Sequence, residues 1–204
     1  MARLMDVFAD KTVLIAGAAT DLVWRLLPQL ESARARVILL DEDEDELMSM
    51  ARRAPTLLEP LPVEKMEAET VKVVGKIWGD EPIDVLIDAL ALSECCEGAD
   101  VPFTSKALMS AFEPALSTAD GCVVSIVPKP FHSMDATAKM VEAACLQMAA
   151  TLAEKWGPQR VTFNVVRPAP GASANALAKA VDIAARAGWN NFTGVHIPVR
   201  AASR

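Results

Sequence analysis

The sequence predicts an α/β fold: a single doubly wound parallel sheet of about seven strands, with helices on both faces, spanning residues 1–204 as one domain. Two observations predict it. Short apolar runs alternate with longer helical patterns from end to end, and most of the runs are nearly continuous in Val, Ile and Leu. Strands read that way when helices cover both sheet faces, because neither face alternates with polar residues. The size agrees: 204 residues with 52% hydrophobic and 23% charged side chains can bury a full core without disulfides or metals.

Taken in order, the strand runs are Thr12–Ala16, Arg36–Leu40, Leu57–Leu61, Ile83–Ala89, Cys122–Val127, Val161–Val166 and Val195–Val199. The helical patterns between them are Asp21–Glu31, Asp43–Arg53, Ala68–Trp78, Ser105–Leu116, Ser133–Trp156 and Ser173–Ala187. Right-handed crossovers join such units into a parallel sheet. The acidic run Asp41–Glu46 reads as a solvated helix start, its charge opposed by Arg52 and Arg53 at the other end. It lacks the glycine and carbonyl spacing of a calcium loop.

Charge and cysteines narrow the function. With Asp and Glu numbering 27 against 20 Lys and Arg, the net charge is −7, which disfavours nucleic acid and anionic membrane surfaces. No apolar stretch is long enough to span a bilayer, and Met1–Lys11 lacks a signal-peptide core. Cys95, Cys96, Cys122 and Cys145 show neither disulfide-framework nor zinc spacing, so a cytoplasmic location without bound metal is expected. Tyrosine is absent from the chain.

Several segments, in order, resemble the short-chain dehydrogenase/reductase family over essentially the whole length. Thr12-Val-Leu-Ile-Ala-Gly17-Ala-Ala-Thr20 is similar to the family's first strand and glycine turn, and Arg36–Asp41 to its second strand ending in an acid. Ile83–Ala91 resembles the fourth strand with its Asn-Asn-Ala-Gly signature, and Gly121–Ile126 the fifth strand. Ala136-Thr-Ala-Lys139 resembles the Tyr-x-x-x-Lys segment, Val161–Gly171 the sixth strand with its Pro-Gly exit, and Phe192–Val199 the last strand. The resemblance implies a Rossmann-like fold, a nicotinamide dinucleotide at Gly17, Thr20, Asp21, Asp41 and Asp88, and hydride-transfer chemistry.

The departures fall on the functional positions, which marks the chain as a shortened and catalytically degenerate relative. Of the family's three turn glycines only Gly17 remains; Asp21 and Val23 take the other places. Asp21 is expected to cap the first helix's free N–H groups with its own carboxylate, where a phosphate would rest, and Val23 to add bulk there. Pro28 is expected to kink that helix. Asp41, the acid that would take a ribose hydroxyl, has Glu42 and Asp43 beside it, so NAD is admitted and NADP excluded if any dinucleotide binds; none is required. Asp135 stands at the Tyr position, where an ionised carboxylate cannot donate a proton, and Lys139 is the only matching catalytic residue. Val127 or Pro128 replaces the Ser; Ser125 lies earlier on the strand and should face away from Ile126. Asp88 replaces the first Asn of the signature, and the helix Asn falls near Val101 or Pro102. Between Gly171 and Gly194 there is room for one helix and a turn, too little for a lid.

Other constellations are weaker. His132, Asp135 and Lys139, with Ser125 or Ser133 as a nucleophile, could form an acid/base group, but no Gly-x-Ser-x-Gly elbow is present and Ser133 or Asp135 reads as a helix cap. Cys95-Cys96 reads as a pair of loop thiols. Val141, Ala144, Cys145, Met148 and Leu152 form an apolar stripe, widened by Met140, Ala143, Leu146, Ala149, Ala150 and Ala153; Ala107, Leu108, Met109, Ala111 and Phe112 offer another. The matching helices pair between subunits in the resembled family, so residues 105–116 and 133–156 are expected to join a homo-oligomer, or a hetero-oligomer with an active relative. The expected function is a binding or scaffold subunit without its own catalysis. The alternatives are an NAD-dependent oxidoreductase using His132 or Lys139 as proton donor, and a non-catalytic nucleotide or small-molecule sensor.

Overall fold

The computed structural model describes residues 7–94, 96, 98–128 and 135–201. Its strands are β1 (Thr12–Ala16), β2 (Arg36–Asp41), β3 (Leu58–Pro62), β4 (Val85–Asp88), β5 (Cys122–Ile126), β6 (Thr162–Pro168) and β7 (His196–Val199). Its helices are α1 (Asp21–Ser32), α2 (Glu44–Ala51), α3 (Ala68–Trp78), α4 (Val101–Ala111), α5 (Glu113–Thr118), α6 (Ala136–Trp156) and α7 (Ala174–Trp189). All strands pair in parallel in one seven-stranded sheet of order β3-β2-β1-β4-β5-β6-β7. The order reverses between β1 and β4, which opens a crevice at the carboxyl ends of those strands.

Strict alternation splits β1, β2, β4, β5 and β6 between two cores. Val13, Ile15, Val37, Leu39, Val85, Ile87 and Val124 pack under α1, α2 and α7, while Leu14, Ile38, Leu86, Val123 and Val165 pack under α3, α4 and α6. Both faces are therefore apolar, as the near-continuous runs predict. At one edge, β3 carries Pro60 and Pro62, which lack N–H groups and so leave little to pair with a further strand.

Two helical expectations are corrected. The pattern at Ser105–Leu116 is two helices, because Pro114 has no N–H to continue the ladder; α4 also starts earlier, with Pro102 in its first turn. Ala107, Leu108 and Met109 of α4, and Phe112 just past its end, are buried in the chain's own core. In α6, Ala144 faces solvent; the inward stripe is Cys145, Ala149, Leu152, Ala153 and Trp156. Residues 133 and 134 lie outside the described residues, as do Cys95 and His132. α1 runs through Pro28 to Ser32. No helix among the described residues is long and apolar enough to cross a membrane.

One buried polar residue organises the β6 side. Asn164, fully buried, donates to the carbonyls of Ala184 (3.1 Å) and Phe192 (3.0 Å) and accepts from the Val195 N–H (2.9 Å). It ties β6 to α7 and to the chain leading into β7.

Candidate functional site

The candidate site lies along the β1/β4 crevice, where the chain leaves β1, β2, β4 and β5. Gly17 makes the turn out of β1 with φ +73°, and its N–H donates to the Leu40 carbonyl at 3.0 Å. A Cβ there would lie 2.7 Å from the Ala89 carbonyl carbon and 2.8 Å from the Leu90 nitrogen. Glycine is therefore required twice, for the positive φ and for the close approach of the β4 exit.

The first helix is not capped as expected. Thr20, not Asp21, is the N-cap, in extended conformation and without a side-chain cap bond. Asp21 is the first helical residue, with its side chain exposed, because the chain enters the helix one residue earlier than the cap reading requires. The Thr20 hydroxyl is buried without a hydrogen-bond partner. Val23 points into the core, fully buried, and adds no bulk outside the turn.

The carboxylate that does reach the turn is Asp41, from the end of β2. It is 1% exposed. One oxygen accepts from the Ala19 N–H (3.0 Å) and the Ser93 hydroxyl (3.2 Å); the other accepts from the N–H groups of Glu42 (2.7 Å) and Asp43 (3.3 Å). Asp41 thus joins the loop after β1 to the loop after β4, across the mouth of the crevice. Glu42 extends the clamp by accepting the Met66 N–H before α3. Asp43 caps α2 by accepting the Glu46 N–H (2.9 Å), which places the acidic run at a helix start as its sequence predicts.

The acid expected to hold ribose hydroxyls is already saturated by protein donors, and an exposed Asp21 opposes phosphate at the start of α1.

Beyond the crevice, Asp88 is 2% exposed at the end of β4. It accepts from the Ser125 hydroxyl (2.9 Å) and the Leu90 N–H (3.3 Å), while the Ser105 hydroxyl lies beside it outside good hydrogen-bond geometry. Burial pushes this carboxyl above the usual range, and the neighbouring hydroxyls and N–H pull it back. Ser125 lies opposite in orientation to Ile126, which packs in the other core.

A raised folded-state value means that folding penalises the charged form of Asp88 relative to the unfolded chain. Its contribution to stability is greatest below the unfolded carboxylate value, about 3.9, and falls as pH rises through the folded one. Asp88→Asn is therefore expected to flatten this pH dependence, losing less stability than the parent as pH rises above the carboxylate range. Urea melts of both proteins across that range check it.

A cavity of about 770 Å³ opens where α6 begins, walled by Leu92, Val101, Val127, Val141 and Cys145, with Asp135 and Glu142 among its lining residues. Asp135 is the N-cap of α6, its carboxylate accepting the Ala138 N–H at 2.9 Å. Lys139 is exposed and does not line the cavity, so the structure does not bring the two together around a bound group. Glu142 is held in an ion pair by Arg167 of β6, a partnership that sequence spacing cannot reveal. Burial pushes the Cys145 and Cys122 thiols up to about 12, and also raises Cys96, which makes poor nucleophiles of all three. Only residues 169–173 join β6 to α7. Among the described residues no group of His, Cys, Asp and Glu is arranged to hold a metal. A larger groove of about 1110 Å³ runs between α1 and α7 and includes none of these groups.

No family model matches the sequence, and no curated protein matches it. Solved structures do match the fold. A protein from Burkholderia xenovorans described as a short-chain dehydrogenase/reductase superposes with a TM-score of 0.77 over 95% of this chain and 96% of its own, at 16% identity. The protein gox2181 superposes with a TM-score of 0.78 over 97% of each chain, also at 16% identity. The chain has the fold of these proteins.

Proposed function

We propose that this chain is a short-chain dehydrogenase/reductase-like subunit without its own turnover, acting as a binding or scaffold component in an oligomer of itself or beside an active relative. The observation that carries this reading is the Asp41 carboxylate, bonded to Ala19 and Ser93 across the crevice. Two further features support it. The chain contains no tyrosine, and the acid at the corresponding position, Asp135, is engaged as a helix cap. Pairing would use the exposed side of α6, where Met140, Ala143, Ala144, Gln147 and Ala150 leave a shallow face that a second helix could approach closely.

The purified chain, incubated with NAD(H) or NADP(H) and a panel of ketones and alcohols, is expected to show no turnover above a protein-free blank. Turnover lost in Lys139→Ala would overturn the reading. The cavity beside Asp135 favours one second reading, a non-catalytic sensor of a small molecule that enters there without a dinucleotide.

A further inference from the structure

We propose that a second copy of this chain docks the acidic outer edge of α2 into the lysine-rimmed groove between α3 and α4, giving a head-to-tail assembly sensitive to salt. The groove, about 490 Å³, has Ala68 and Ala107 among its lining residues, with Lys72 and Lys76 of α3 and Phe103 and Lys106 of α4. No acid lines it, in a chain whose net charge is −7. Lys72 pairs with Glu69 at 2.6 Å, whereas Lys76 and Lys106 have no ion pair among the described residues. Phe103 stands 69% exposed there, and Ile77 of α3 is 81% exposed nearby in sequence. Apolar side chains of that size, ringed by cations, fit a partner that is acidic and carries an apolar anchor.

The chain itself carries such a surface. Within the acidic run, Asp41, Glu42, Asp43 and Glu46 all accept internal hydrogen bonds. Glu44 and Asp45 are exposed and without ion pairs among the described residues, and Met48 is exposed one turn on. Both acids thus stand one turn before an apolar anchor on the same helix. The edge and the groove also sit in opposite layers: α2 packs with α1 and α7, and α3 and α4 with α6. One copy therefore presents its edge to another's groove rather than to its own, and each added copy leaves both surfaces free at the ends. This surface is separate from the α6 face, so it does not depend on the subunit reading above.

Sedimentation velocity of the full chain tests it. At about 0.1 M salt, where screening extends about 10 Å, concentration-dependent species beyond a dimer are expected, and at about 1 M salt they are lost. Lys76→Glu with Lys106→Glu, and separately Glu44→Lys with Asp45→Lys, should each weaken assembly at least tenfold. An equimolar mixture of the two should restore it, because reversed groove then meets reversed edge. Glu44→Gln with Asp45→Asn adds no positive charge to the helix start and should weaken assembly while the chain still melts cooperatively. Four results would overturn the proposal: a chain monomeric or dimeric at every concentration, assembly indifferent to salt, cooperative melting of both variants with no rescue on mixing, or anionic vesicles bound through the lysines without self-association.

Discussion

Asp41→Ala is expected to lower the unfolding free energy by about 3 kcal/mol, one of the two largest effects here, because it strands several donors around a buried site. The Ala19 N–H and the Ser93 hydroxyl lose their acceptor, and so do the N–H groups of Glu42 and Asp43. Bonds to an ionised acceptor are the stronger kind, and water has little access where the carboxylate is 1% exposed. Asp21→Ala is the matched control. Its side chain is exposed at the first position of α1, so removing it should change stability by no more than about 0.5 kcal/mol. Urea denaturation of the pair decides which carboxylate holds the turn. Equal losses, or a larger one for Asp21, would contradict the geometry.

Gly17→Ala is expected to cost about 3 kcal/mol or to prevent folding. Its φ of +73° already penalises an L side chain by about 1–2 kcal/mol. The added Cβ would also press within 2.8 Å of the Ala89 carbonyl oxygen and the Leu90 nitrogen, which are backbone atoms and cannot turn aside as a side chain could. Gly79→Ala separates the two costs. Gly79 has nearly the same φ, +72°, with nothing within 4 Å of the new Cβ, so only the conformational part should appear. A collision with the backbone of the β4 exit is expected only at Gly17.

The strands were legible because Leu14, Ile38, Leu86 and Val123 on one face and Val13, Val37, Val85 and Val124 on the other all have to be apolar. Such a run survives without knowledge of its neighbours. Gly17 was legible for the same reason, as a local backbone need. The source of the carboxylate at the turn was not. Asp21 is adjacent in sequence, while Asp41 arrives through strand pairing, β2 lying beside β1 with Ala16 opposite Leu40. Cap geometry turns on a single residue, and a shift of one moved Asp21 from cap to surface. Glu142 with Arg167, and Asn164 with the turn before β7, are likewise meetings that only the fold produces. Pro102 and Pro114 did carry a local signal for the break in the α4 and α5 region.

Asp41 bridges the loops after β1 and β4 across the crevice where a dinucleotide would enter. Thermal unfolding of the full chain, titrated with NAD, NADH, NADP and NADPH, tests most directly whether that bridge excludes one. A ligand that binds only the folded state at one hundred times its dissociation constant adds about 2.7 kcal/mol. The bridged crevice predicts a melting temperature unchanged by all four dinucleotides to millimolar concentration. A saturable rise with any of them, abolished by Asp41→Ala, would show that Asp41 serves a nucleotide rather than excluding one.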